Sequence, residues 1–303
     1  MIFARWRRRA PEVAVDLGTA FTRVYARGRG LLADEPSRAV RPALRAGAIV
    51  DTEAATLLLQ RLLWRARGSA RVQPAVLVCA PSDARPHEVE ALREATHHAG
   101  ASTVKVAPEP LAAALGGGLD IASRYAQMIV DVGDGVTDVG VVRSGGLASS
   151  WALRMGCGEL RAAVTEVAAR HGLRLRPGEA ERLAGAAQGE AGLLLASGTD
   201  AATGREARAW VRARDVADAV EPLLTQLAAT VRSAWRDLSP EASCEVIESG
   251  VLLAGGGALI RGLRERIAAE TALDVRPAAD PLHAVILGAR RMVEAGASGS
   301  ALG

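Results

Sequence analysis

The chain is poor in cysteine, aromatics and lysine, and it has no long uncharged apolar run. Its three cysteines, Cys79, Cys157 and Cys244, are odd in number and far apart. That excludes a disulfide framework and a zinc-ligand spacing, and it fits a reducing cytoplasm. The longest uncharged apolar stretch runs from about Ser249 to Ile260 and holds three consecutive glycines. It is too short to span a bilayer, so no transmembrane helix is expected. The N-terminus starts basic but has no long apolar core or cleavage site, so it does not read as a signal peptide. Lys105 is the only lysine among 37 basic residues, which with abundant alanine reflects a GC-rich coding sequence rather than chemistry.

What is present is a globular composition. With 303 residues, 49% hydrophobic and 23% charged, the chain is not disordered and is long enough for roughly two domains. A net charge of +3 and a pI near 9.1 raise the question of an anionic partner. Arg5, Arg7, Arg8 and Arg9 answer it, because without them 33 basic groups stand against 34 acidic ones. The body is near neutral, and no nucleic-acid partner is expected. Ile2, Phe3 and Trp6 are interleaved with these arginines and fall on one side if residues 1–10 are helical. That pattern suits the surface of an anionic membrane. So short a segment binds marginally alone and needs multivalency or a partner; a disordered basic tail is the alternative.

The sequence echoes itself. Val13-Ala14-Val15-Asp16-Leu17-Gly18-Thr19-Ala20-Phe21-Thr22 and Met128-Ile129-Val130-Asp131-Val132-Gly133-Asp134-Gly135-Val136-Thr137 lie about 115 residues apart. In each, an apolar strand ends in Asp-x-Gly, a turn follows, and a Thr six residues after the Asp opens a return strand. Glycine turns of this kind aim backbone N–H groups into one concavity, which cradles anions. An acid at the strand end suits a hydrated Mg²⁺ bridging phosphates. Between the copies, Val76–Ala80 reads as a buried strand, Pro86–His98 as a helix, Val104–Val106 as a short strand, and Glu109–Leu115 as a small-residue helix. Residues 160–214 read as helix and loop with little strand signal, and a helix is expected over Ala217–Trp235. Val251–Ala254 and Gly255-Gly256-Gly257 read as strand and glycine turn, bare enough for a base and ribose to approach. Alternating strands and helices imply an α/β fold.

These motifs resemble the actin, Hsp70 and sugar-kinase superfamily, and in detail the MreB family of bacterial actins. The resemblance runs in order through Asp16-Leu17-Gly18-Thr19-Ala20, Glu35-Pro36-Ser37, Cys79-Ala80-Pro81-Ser82, Glu109-Pro110-Leu111-Ala112-Ala113-Ala114, Asp131-Val132-Gly133, Gly255-Gly256-Gly257-Ala258-Leu259 and Asp280-Pro281-Leu282. It implies an actin-like ATPase fold, two RNase-H-like domains around a nucleotide cleft, with domain I over 11–125 plus 281–297 and domain II over 126–280. Residues 160–214 would be the outer lobe of domain II, and 298–303 a flexible end. By the same resemblance Asp16, Gly18 and Thr19 form one phosphate loop, and Asp131, Gly133 and Gly135 the other. Gly255, Gly256 and Gly257 line the adenosine end, Glu159 is a ribose contact, Asp16 and Asp131 hold Mg²⁺ beside ATP, and Glu109 polarises the attacking water. Glu109 also reads as an acid favoured by a helix N-terminus.

Departures from the family pattern cluster on the cleft. Phe21 stands for an asparagine, Asp134 for a glycine, Val136 for the threonine that helps hold the attacking water, and Ala184 and Ala186 for polar nucleoside contacts. An acid beside a triphosphate is unfavourable unless Mg²⁺ or an arginine screens it. Only ten residues, 38–47, separate Ser37 from Ala48, so the outer lobe of domain I is expected to be missing. Two readings stay open. One is an ATP-binding polymer at the inner face of the cytoplasmic membrane, acting in cell shape or wall synthesis with weakened hydrolysis. The other is a non-polymerising adaptor that docks on MreB-like filaments or wall-synthesis proteins.

Overall fold

The computed structural model describes residues 12–37, 42–68, 72–189 and 191–298. The first strands are β1 (Val13–Leu17), β2 (Phe21–Ala26) and β3 (Gly30–Pro36), followed by the short pair β4 (Leu44–Arg45) and β5 (Ala48–Ile49). Then come α1 (Thr52–Arg67), β6 (Ala75–Ala80), α2 (Pro86–His98), β7 (Thr103–Pro108) and α3 (Glu109–Gly117). The second half opens with β8 (Gln127–Val132), β9 (Thr137–Arg143), β10 (Gly146–Leu153) and α4 (Cys157–Ala169). It continues through β11 (Leu173–Leu175), α5 (Glu179–Ala187), β12 (Leu193–Asp200), β13 (Glu206–Arg212) and α6 (Ala213–Arg236). It closes with α7 (Pro240–Ser249), β14 (Val251–Ala254), α8 (Leu263–Thr271), β15 (Val275–Pro277) and α9 (Ala284–Ser298).

The internal echo of the sequence is an echo of architecture. One five-stranded sheet has the order β3-β2-β1-β6-β7 and the other β10-β9-β8-β14-β15, with the same antiparallel hairpin and parallel additions in each. The central strands β1, β6 and β14 are buried at every position, because helices cover both faces and leave no side for polar residues. Outer strands β3 and β10 are mostly half-exposed or exposed. Local signals set the helix ends. Asp51 caps α1 by accepting the Ala54 N–H at 2.9 Å, and Leu58, Leu59, Leu62 and Leu63 turn inward at helical spacing. Pro86 opens α2, where Glu88 reaches back to the Arg85 N–H at 2.8 Å. This helix has the bounds that its sequence signals predict.

Between the two sheets lie α3 and α9. Helix α3 packs on β8 and β9 and α9 on β1, so α3 crosses from the first repeat to the second. They pass closely because the crossing is built from alanine and glycine: a Cβ on Gly288 would lie 1.8 Å from the Ala112 carbonyl oxygen, and one on Gly116 equally close to that of Ala284. Gly288→Ala therefore forces the two helices apart. The expected loss is about 3 kcal/mol, at the upper end for overpacking because the obstacle is backbone, and it is read by urea unfolding.

Two sequence expectations change here. Residues 160–214 are not strand-poor: β11, β12 and β13 form an antiparallel sheet whose inner face, with Leu194, Ala196 and Val211, is backed by the helices of this lobe. Its half-buried inward positions include Ala207 and Ala209, too small to give a strong alternation against Glu206, Arg208, Trp210 and Arg212. The helix expected from Ala217 starts at Ala213. Residues 42–51, between β3 and α1, hold only the two-residue strands of β4 and β5. The tail residues Ile2, Phe3, Arg5, Trp6 and Arg7 to Arg9, with 38–41 and 299–303, lie outside the described residues. No helix among the described residues is long and apolar enough to cross a membrane.

Candidate nucleotide cleft

The hairpin turns of the two repeats are built alike. Gly18 N–H donates to the Phe21 carbonyl at 3.1 Å, and Gly133 N–H to the Val136 carbonyl at 2.9 Å. Leu17 faces Thr22 across the first hairpin as Val132 faces Thr137 across the second. Both threonines are fully buried: Thr22 meets the Ser37 hydroxyl at 2.8 Å, and Thr137 donates to the Met155 carbonyl at 2.8 Å. They are strand residues, not ligands.

The two turns meet across a cavity of about 350 Å³. A Cβ on Gly135 would lie 2.8 Å from Thr19 Oγ1 and 2.9 Å from Ala46 Cα, so only a bare backbone fits where they approach. Thr19 Oγ1 also accepts the Gly47 N–H at 3.2 Å. Asp16, Gly18, Thr19, Glu109, Asp131, Gly133, Gly135, Gly255 and Gly256 all line this cavity. Gly255 has φ +74° and sits against Asp131, where a Cβ would be 2.5 Å from the carboxylate. Leu259, Ile260 and Leu282 add apolar wall beside it.

Two expected contacts are not on the wall. Gly257 is turned into the protein, where a Cβ would strike the Val132 side chain at 2.2 Å. Glu159 instead accepts the Gly156 N–H at 2.8 Å and caps α4. Its place three residues after Gly156 is a helix-start signal, which the sequence already carried. Of the two alanines expected at the nucleoside end, Ala184 lines the cavity and Ala186 packs against the domain core.

The cleft floor gathers acids. Burial raises the Asp16, Glu109, Asp131 and Asp138 carboxyls. Asp138 and Asp16 push Asp131 further, to about 8, and Asp138 itself reaches about 6. The cause is geometric: Asp131 and Asp138 are directly opposed in the β8–β9 hairpin. Asp138 accepts the Ser82 N–H at 2.9 Å and so ties the second sheet to the loop after β6. Arg154 makes a second tie, reaching Asp83 at 2.7 Å, Glu88 at 3.0 Å and the Ala46 carbonyl at 2.7 Å.

Two arginines that sequence reasoning missed complete the site. In the first hairpin the position opposite Asp16 is Arg23, whose Nη1 lies 3.3 Å from the carboxylate. Arg161 of α4 pairs with Asp134 and, at 3.2 Å, with Glu181. The screening that Asp134 requires is thus supplied by the protein. The register of the first hairpin carries the signal for Arg23, while Arg161 becomes visible only once α4 is folded against the turn. Phe21, 44% exposed, lines the mouth with the Arg23 guanidinium 5.7 Å from its ring centre.

The donor set fits a divalent cation. Asp131 is buried, and no basic side chain among the described residues pairs with it. A charge-starved carboxylate of this kind gains most from an arriving cation. Asp16 offers its second oxygen from across the cleft.

The chain matches the MreB/Mbl protein family over residues 37–299. It is 30% identical to the cell shape-determining protein MreB of Pasteurella multocida over 326 aligned positions, covering 93% of each chain. Among solved structures, MreB5 of Spiroplasma citri bound to AMPPNP superposes with a TM-score of 0.83 at 22% identity, covering 97% of this chain and 99% of that one. The MamK double helical filament gives a TM-score of 0.74 at 21% identity, covering 93% and 98%. These likenesses establish an actin-like ATPase fold.

Proposed function

The chain belongs to the MreB/Mbl family, and from that premise we propose that it is a nucleotide-binding bacterial actin homologue acting in cell-shape determination or wall morphogenesis. The observation that carries this reading is the pair of like hairpins whose turns meet across one cavity, each presenting an acid at its strand end. In it, ATP lies with its phosphates between the Gly18-Thr19 and Gly133-Gly135 turns and its nucleoside toward Gly255 and Gly256. Asp131 and Asp16 would hold Mg²⁺, which would supply positive charge to neutralise the phosphates.

Glu109 heads α3 on the cavity wall, within the electrostatic reach of Asp16 and Asp131. It is placed to accept a proton from water attacking the terminal phosphate. Val136 offers no hydroxyl to orient that water, so hydrolysis is slow. Two proposals complete the picture: the tail, through Ile2, Phe3, Trp6 and its arginines, holds the protein to the inner face of the cytoplasmic membrane, and the polymer it joins is its own or that of an MreB-like relative. The nearest support for self-association is a structural neighbour described as a double helical filament.

One observation favours the adaptor reading. The alignment to the Pasteurella relative is longer than this whole chain, so part of that relative has no counterpart here, and residues 42–51 hold only a minimal ribbon. Electron microscopy with sedimentation in Mg-ATP separates the two. Filaments with slow phosphate release support the polymer; a nucleotide-loaded monomer that co-sediments only with another family member's filaments supports the adaptor. Vesicle flotation of the full chain against one starting at Ala10 tests the tail, and equal flotation rejects it.

A further inference from the structure

The three-stranded sheet of the outer lobe is backed by helices on one face only. The other face carries Leu193 and Leu195 of β12, Arg208, Trp210 and Arg212 of β13, and Arg174 of β11. The register brings these side chains together, because Trp210 is directly opposite Leu195 and Arg212 is opposite Leu193. Trp210 is 59% exposed and Leu193 58%. Arg208 and Arg212 stand two residues to either side of Trp210, so an apolar strip is flanked by guanidinium groups. Arg174, Arg208 and Arg212 have no carboxylate partner among the described residues. The acid on the same face of β13, Glu206, is tied to Arg176 at 3.0 Å.

We propose that this sheet face is a contact for an anionic phospholipid surface, separate from the N-terminal tail. Strand β13 is an edge of its sheet, and arginines alone would serve to keep that edge from pairing with another chain. A tryptophan and a leucine more than half exposed work against that purpose, because they invite association. Contact with a lipid surface accounts for both. The indole and the leucines enter the boundary between headgroups and acyl chains, while the guanidinium groups, on long stems, bond phosphate oxygens at headgroup level. The unpaired arginines give up no protein partner in doing so. Lipid is favoured over single-stranded nucleic acid, because one aromatic gives one stacking platform and the leucines have no use there. The contact is independent of nucleotide binding, and it supplies the multivalency that a short tail lacks.

The test is binding of the full chain to vesicles of phosphatidylcholine containing phosphatidylglycerol and to vesicles of phosphatidylcholine alone, beside Trp210→Ser and the double variant Arg208→Ser/Arg212→Ser. All three positions are exposed, so the variants keep the fold. The expected result is binding to the anionic vesicles only, weakened about fivefold or more in Trp210→Ser and about tenfold or more in the double variant. Equal vesicle binding by wild type and both variants overturns the proposal; if a chain starting at Ala10 then loses binding, the tail reading stands by itself. Variants that lose self-association or oligonucleotide binding, with vesicle binding unchanged, also overturn it and assign the face to a second copy or a nucleic acid. No binding of the wild type to anionic vesicles overturns both membrane contacts.

Discussion

Asp131→Asn raises the melting temperature of the nucleotide-free protein at pH 8 and flattens much of its decline between pH 5 and pH 9. The Asp131 carboxyl is buried, faces Asp138 across the hairpin and lies near Asp16, which together lift its pKa from an ordinary 3.8 to about 8. A group raised in the folded state holds a proton that the unfolded chain has already released. Its contribution is fully present below pH 4, declines as pH rises through the interval up to about 8, and is then lost. At about 1.4 kcal/mol per unit, the loss by pH 8 is on the order of a few kcal/mol. Asparagine keeps the shape and carries no charge at any pH, so it escapes the loss. Asp138, raised to about 6, leaves a smaller residual slope. Thermal melts in EDTA across this range check the expectation, and parallel curves for both proteins would contradict it. The variant gains stability by losing an unfavourable buried charge, at the expense of the proposed cation ligand.

Arg161→Met is expected to weaken nucleotide binding by about thirtyfold. Without Arg161, Asp134 remains as an unscreened carboxylate in the turn that must accept phosphates, with Glu181 left beside it. Orphaning one partner of a fully buried pair costs about 3–5 kcal/mol; Arg161 is a third exposed, so about 2 kcal/mol is the better figure. Adding Asp134→Asn removes the orphaned charge and should recover about tenfold, while the rest stays lost with the guanidinium. Equal affinities in wild type and Arg161→Met, measured by titration, would show that the pair is a surface ornament of the cleft mouth.

The fold was legible in the sequence where the determinants are local. Asp-x-Gly turns, a Thr six residues on and the Pro86 helix start each act over a few residues, so the two hairpins and α2 stand where their motifs place them. Strands β11, β12 and β13 were not, because two of β13's inward residues are alanines and β11 has only three residues. The same division runs through the site. Asp16, Asp131 and the turn glycines follow from the repeat. Arg161 does not, since its partner is 27 residues away on another element. Glu159 is less legible, because a helix cap and a ribose contact use the same residue type, and the Gly156 hydrogen bond that makes it a cap appears only in the folded chain. Three consecutive glycines look alike in sequence, whereas the chain turns Gly257 toward Val132 and leaves Gly255 and Gly256 on the cavity.

The central claim is that the two hairpin turns enclose one nucleotide. Calorimetric titration of the full chain with ATP, beside Gly135→Val, tests it most directly. Valine at 135 would place a side chain where Thr19 Oγ1 and Ala46 Cα leave less than 3 Å. The expected result is one ATP bound per wild-type chain and none by the folded variant. No binding by either protein, or equal binding by both, would contradict it.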